Sequence, residues 1–308
     1  MNFLHSDVKK DFKNNDIENC LKSDILSNDK INKNNGQNPS KQKPHKKFMK
    51  GAEPFFIMKS TEVGVLLLHG FTSTPYQFKA LANYLADKNL TVYAPIIAGH
   101  GTSPQDLADT SLYDWIESSE KAFICLKEKV KKVFIIGNSF GGNLAFYLAA
   151  KYNNPLSGVV SLGTPITLRY HKFLQVRLYT YGLLKRLYRK AGRDYKSNYI
   201  DLYDEISYPV IPIKSMRDFF YFIRKITIPS LSQVKSPALI IQASADALVH
   251  PKSVQYLHEH LGSDFKKVCW FNGNHHALTD PHNSIREEIF KKIHEFIEEL
   301  LGKREEMK

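Results

Sequence analysis

Residues 53–302 predict an α/β fold, a mostly parallel central sheet flanked by helices and broken by one insertion. Two observations carry this. Short apolar runs alternate with longer amphipathic stretches, the pattern of buried parallel strands connected by covering helices. The alternation lapses once, between Thr164 and Val234, and resumes at Pro237, so about 70 residues are inserted into one domain rather than added as a second. The composition allows the core this fold needs: 43% of the 308 residues are hydrophobic and 24% charged.

The expected strands are Val63–His69, Thr91–Pro95, Lys132–Gly137, Gly158–Leu162, Ala238–Ala243 and Lys267–Phe271. The expected helices are Pro75–Asp87, Leu112–Glu128, Gly141–Lys151, Pro251–Leu261 and Asn283–Leu300. Residues 1–52 form an Asn/Lys-rich leader too poor in apolar side chains to offset ordering, and are expected to be disordered or weakly ordered. That leaves 53–163 and 235–302 as the core and 164–234 as the insertion. No repeat is visible.

Several function classes are set aside by composition. The longest apolar run, Val63 to Leu68, falls far short of the roughly 18 residues of a membrane span. The segment after Lys9 and Lys10 lacks the apolar region of a signal peptide. Cys20, Cys125 and Cys269 are odd in number and widely spaced, which predicts unpaired thiols in a reducing cytoplasm. The net charge of +12 is local: residues 1–50 carry eleven Lys and six acids, and 164–228 carry thirteen Lys/Arg and five acids. The remaining body is close to neutral, so nucleic acid is not an expected partner.

The chemistry centres on Gly137-Asn138-Ser139-Phe140-Gly141, between an apolar strand and the helical run Gly142–Ala150. In a G-x-S-x-G turn the sharp passage from strand to helix lifts the serine Oγ above the sheet. A serine hydroxyl needs a base to become a nucleophile, and the base needs an acid to orient it. Asp246 lies three residues beyond the strand Leu239–Ala243, and the pair His275-His276 follows the last strand, so the order Ser, Asp, His is present. Only one of two adjacent histidines can meet Ser139; Asp264 and Asp280 compete for the acid, but neither ends a strand. His275, His276 and His282 lack a carboxylate or thiolate at metal-ligand spacing, so no metal is expected. Acyl transfer also needs N–H donors for the oxyanion. One is expected at Phe140, after the nucleophile; the other at Phe71, in His69-Gly70-Phe71 beyond the first long strand.

Leu67-Leu68-His69-Gly70-Phe71-Thr72, Ala98-Gly99-His100-Gly101, Asp114-Trp115, Gly137–Gly142, Ala238–Gln242 and Asn274-His275 through Asp280 together resemble the bacterial carboxylesterase and monoacylglycerol lipase family of the α/β-hydrolase superfamily, over residues 62–300. The resemblance implies an α/β-hydrolase fold with a small helical cap and hydrolysis of short- to medium-chain esters without a cofactor. It implies a triad of Ser139, Asp246 and His275, because an aspartate, Asp280, stands five positions after His275. It also implies oxyanion donors at Phe71 and Phe140. The same site could serve a thioesterase, a feruloyl-type esterase or a peptidase, and a catalytically silent binding protein is the non-enzyme alternative.

Within the insertion, Tyr170–Arg193 reads as a helix with Phe173, Leu174, Leu184, Leu187 and Tyr188 on one side and Lys172, Lys185, Arg186, Arg189 and Lys190 on the other. The apolar side is expected to cover the pocket, and the basic side to make peripheral contact with anionic lipid. Tyr208–Ile213 is punctuated by Pro209 and Pro212 and should be extended. The expected partner is a small ester or lipid, and the chain a monomer or dimer.

Overall fold

The computed structural model describes residues 17, 19–22, 47–152, 156–169, 186–190, 207–279 and 283–305. Its strands are β1 (Phe55–Ile57), β2 (Val63–Leu68), β3 (Thr91–Ala94), β4 (Lys132–Asn138), β5 (Leu156–Leu162), β6 (Leu187–Arg189), β7 (Val210–Pro212), β8 (Ala238–Ala243) and β9 (Lys266–Phe271). Seven form one sheet in the order β1-β3-β2-β4-β5-β8-β9. All neighbours are parallel except the edge pair β1–β3. The helices are α1 (Lys79–Asp87), α2 (Pro104–Asp109), α3 (Leu112–Lys127), α4 (Phe140–Lys151), α5 (Ile213–Phe222), α6 (Lys252–His260) and α7 (Arg286–Glu305).

The buried strand sequences divide by parity because successive side chains point to opposite faces. Leu66, Leu68, Val133 and Ile135 enter one core with Trp115, Phe123 and Leu144. Val65, Leu67, Phe134 and Ile136 enter the other with Leu81, Leu85, Ile289 and Ile293. With both faces covered, β2 is buried throughout, which explains why its sequence is an apolar run and not an alternation. Among the described residues no helix is long and apolar enough to cross a membrane.

Three expectations need correction. Residues 187–189 are not helical: β6 pairs antiparallel with β7, Leu187 opposite Pro212 and Arg189 opposite Val210. The prolines hold Val210–Pro212 extended, within the segment the sequence predicts, while Ile213 already opens α5; an extended edge offers backbone partners that an amphipathic pattern alone cannot foresee. The rest of the expected helix, 170–185 and 191–193, lies outside the described residues. Second, Cys20 and Cys125 are not unpaired; they form a disulfide across 105 residues, and only Cys269 is free. Helical residues 19–22 set Cys20 against α3, a juxtaposition that spacing does not reveal. The bond removes the redox ground for expecting a cytoplasmic location. The third correction concerns the histidine pair and belongs to the site.

Candidate active site

Ser139 occupies the turn from β4 to α4 with φ 51° and ψ −120°, a conformation that an L-residue adopts only when its surroundings force it. The forcing contacts are visible at the flanking glycines. A Cβ on Gly137 would lie 2.2 Å from the Gly141 oxygen, and one on Gly141 would lie 1.9 Å from the Leu68 oxygen. The turn is thus too tight for any side chain at either position. Ser139 N–H donates to the Leu162 oxygen at 2.7 Å, fixing the turn to the end of β5. Behind it, α4 directs its N-terminal N–H groups and positive dipole end toward the turn.

Asp246 lies beyond β8 and is 1% exposed. Its Oδ1 accepts the N–H groups of Leu248 at 2.7 Å and Val249 at 2.9 Å. Its Oδ2 accepts from Gln242 Nε2 at 2.8 Å and from His276 Nδ1 at 2.9 Å. Burial raises the carboxyl pKa, but the hydrogen bond and charge of His276 and the Val249 and Leu248 N–H groups outweigh it and hold the group below its ordinary value. An ionised carboxylate only accepts, so His276 Nδ1 is the donor in this bond and Nε2 is the ring nitrogen left for other partners.

The histidine that meets Asp246 is therefore His276, not the expected His275. His275 is exposed and meets no hydrogen-bond partner among the described residues. Adjacent residues of an extended loop point apart, so the loop can present one ring to Asp246 and must send the other to solvent. Asp280, whose spacing favoured His275, lies outside the described residues. Gly163 shows how closely the parts converge. Its N–H donates to the Ile241 oxygen, and a Cβ there would lie 3.5 Å from His276 Nδ1 and 3.6 Å from Asp246 Oδ2. The serine turn hangs on Leu162, one residue before, so Ser139, Asp246 and His276 share the C-terminal edge of β4, β5 and β8.

The loop after β2 closes the other side. A Cβ on Gly70 would lie 3.5 Å from Ser139 Cβ. The Gly70 oxygen accepts from His69 Nδ1 at 3.0 Å and from Ser73 N–H at 3.1 Å. Both bonds polarise the Gly70–Phe71 peptide and strengthen its N–H as a donor. Among the described residues neither the Phe71 N–H nor the Phe140 N–H meets an acceptor, so both expected donors are available. The Phe71 ring packs edge-on against Trp115 and Phe140 and tilts against Phe219 of α5. This gives a physical role to the Asp114-Trp115 string: Asp114 completes a capping box with Ser111, and Trp115 becomes the floor under Phe71.

The segment around β6 and β7 grips the same loop. Tyr208 N–H donates to the Thr72 oxygen at 3.0 Å, and Lys190 Nζ donates to Thr72 Oγ1 at 2.5 Å. Tyr208 Oη, buried beside His100, donates to the Gly99 oxygen at 2.9 Å. His69 and His100 are buried and uncharged: desolvation depresses both, His100 to about 4. Tyr208 and Gln242 lie in segments the sequence marks, the proline-punctuated stretch and the string Ala238–Gln242, but nothing in either string points to the hydrogen bonds they make here. Among the described residues no group of three or more His, Cys, Asp or Glu could hold a metal.

Residues 59–282 match the family described as serine aminopeptidase, S33. The chain belongs to that family. It is 29% identical over 231 residues to a thermostable monoacylglycerol lipase of Bacillus sp. (strain H-257), covering 75% of this chain and 89% of the relative. It is 26% identical to a carboxylesterase of Bacillus subtilis (strain 168) over 80% of this chain and 96% of that one. Among solved structures, a chain from the work on LipS and LipT, two metagenome-derived lipolytic enzymes, superposes with a TM-score of 0.73 at 28% identity, covering 82% of this chain and all (100%) of that one. A monoacylglycerol lipase of Paleococcus ferrophilus, at 20% identity and a TM-score of 0.64, shares the fold. The fold is that of the α/β-hydrolases.

Proposed function

We propose that the protein is a serine hydrolase of carboxylic esters, acting on monoacylglycerols or other short- to medium-chain esters through an acyl-enzyme. The observation that carries this reading is the bond from His276 Nδ1 to Asp246 Oδ2, made beside a strained serine turn. Relatives matching over three quarters of the chain or more are a monoacylglycerol lipase and a carboxylesterase, which favours an ester over a peptide as substrate. Residues 164–234 act as the cap.

Ser139 is the nucleophile, His276 the base and Asp246 the orienting acid. His276 Nε2 takes the Ser139 proton as Oγ attacks the ester carbonyl. The Phe71 and Phe140 N–H groups hold the oxyanion, the ester C–O bond breaks, and the alcohol leaves with the proton from His276. Water, deprotonated by the same histidine, then attacks the acyl-enzyme and frees the acid and Ser139. Asp246 remains ionised and stabilises the imidazolium.

The test is turnover of a p-nitrophenyl ester series and of monoacylglycerol, beside an aminoacyl p-nitroanilide. Ester turnover that vanishes in Ser139→Ala supports the reading. Ester turnover retained in Ser139→Ala removes the nucleophile, and preference for the anilide removes the ester assignment.

A further inference from the structure

Gln77 sits in the 3-10 turn Pro75–Phe78, 1% exposed, and belongs to no motif of the sequence. Its side chain and its backbone face two different loops. Oε1 accepts the N–H of Gly70 at 3.0 Å. Its backbone oxygen accepts from Thr279 Oγ1 at 2.9 Å across 202 residues. Gly70 immediately precedes the oxyanion donor Phe71, and Thr279, fully buried, lies three residues after His276. One residue thus touches the loop that receives negative charge and the loop that carries the proton.

The chemistry of this contact is selective. The Nε2 of Gln77 is buried and meets no partner among the described residues. An orphaned amide donor is costly, and an apolar side chain of the same length would fill the space without it. The group in use is Oε1 alone, and the atom it holds, the Gly70 N–H, anchors the His69–Gly70 peptide, one before the peptide that carries the Phe71 N–H. With the Gly70 oxygen tied to His69 and Ser73, both polar ends of Gly70 are fixed, and the Phe71 N–H is the donor left to point at the reaction.

We propose that Gln77 is a positioning residue that fixes the oxyanion loop and the histidine loop relative to each other, so that donor and base are aligned with Ser139 together. The proposal rests on the ester-hydrolase reading above. Gln77 does not touch substrate; it acts through Gly70 and Thr279. Its removal therefore lowers kcat and leaves KM nearly unchanged, because alignment matters most where charge develops.

The experiment compares wild type, Gln77→Met, Gln77→Glu and Thr279→Val with a p-nitrophenyl ester, with thermal melts and the rate of fluorophosphonate labelling of Ser139. Gln77→Met removes the acceptor at similar size and is expected to lower kcat and labelling rate roughly tenfold or more, with KM within about twofold. Gln77→Glu keeps the acceptor and is expected to recover most of kcat. Thr279→Val removes only the second contact, leaving Gln77 in place should Gln77→Met fold poorly. It is expected to lower kcat about threefold, and less than multiplicatively when combined with Gln77→Met. Unchanged kcat in Gln77→Met, or equal losses in the Met and Glu variants, overturns the proposal. Failure of wild type to label at Ser139 overturns the ester-hydrolase reading instead, so the two are told apart.

Discussion

Replacing His276 by Ala is expected to lower kcat by about 10⁴- to 10⁶-fold, the loss seen when the base of a serine triad is removed. The structure indicates that this loss is chemical and not structural. Asp246 would lose one of its four donors and keep Gln242, Leu248 and Val249 at 2.7–2.9 Å, so no unpaired buried carboxylate results. The stability cost is then that of one charge-assisted hydrogen bond, about 1.5–3 kcal/mol, partly offset by the three that remain. His275→Ala removes an exposed ring with no partner among the described residues; its expected cost is within about 0.5 kcal/mol, and its kcat within about twofold of wild type. Both variants are measured with a p-nitrophenyl ester, active-site titration and thermal melts. A dead His275→Ala with an active His276→Ala would falsify the reasoning, because the ring bonded to Asp246 would then be the wrong one. Equal losses in both would mean that the loop, and not one imidazole, is what matters.

Asp246→Asn keeps the loop's shape but exchanges the acceptor facing His276 Nδ1 for an amide that can present a donor; kcat should fall about 10³- to 10⁴-fold, with acyl-enzyme formation slowed in stopped-flow traces. Acid should destabilise the fold through His100, neutral in the fold with a pKa near 4 and protonated in the unfolded chain below about 6.5. Its contribution is complete above pH 6.5 and is lost as pH falls toward 4, a change of about 3 kcal/mol to which His69 adds in the same direction. Melting temperature against pH should fall less steeply in His100→Gln, and an unchanged slope would discard the assignment. Thiol titration of the unreduced, denatured chain should find one group, Cys269, and three after reduction; three before reduction rules out the Cys20–Cys125 bond.

Much of the scaffold was legible because burial on both faces writes itself into sequence. β2, β4 and β8 are apolar runs, the serine turn needs its glycines, and the order Ser139, Asp246, then a histidine follows from strands that end at one edge. Short elements escaped: β1 has three residues and α2 six, too few for a period to show. Which of two neighbouring histidines turns inward has no local signature, because both share the same backbone propensity and side-chain chemistry. Loop direction alone decides it, and that direction is set by contacts such as Thr279 to Gln77, made across 202 residues. The pairing of β6 with β7, the bond between Cys20 and Cys125, and the grip of Tyr208 on Thr72 are of the same kind. Residue types and order along the chain determined which chemistry is possible; long-range packing decided which groups are brought together, because a hydrogen bond depends on where two loops meet and not on what either one is made of.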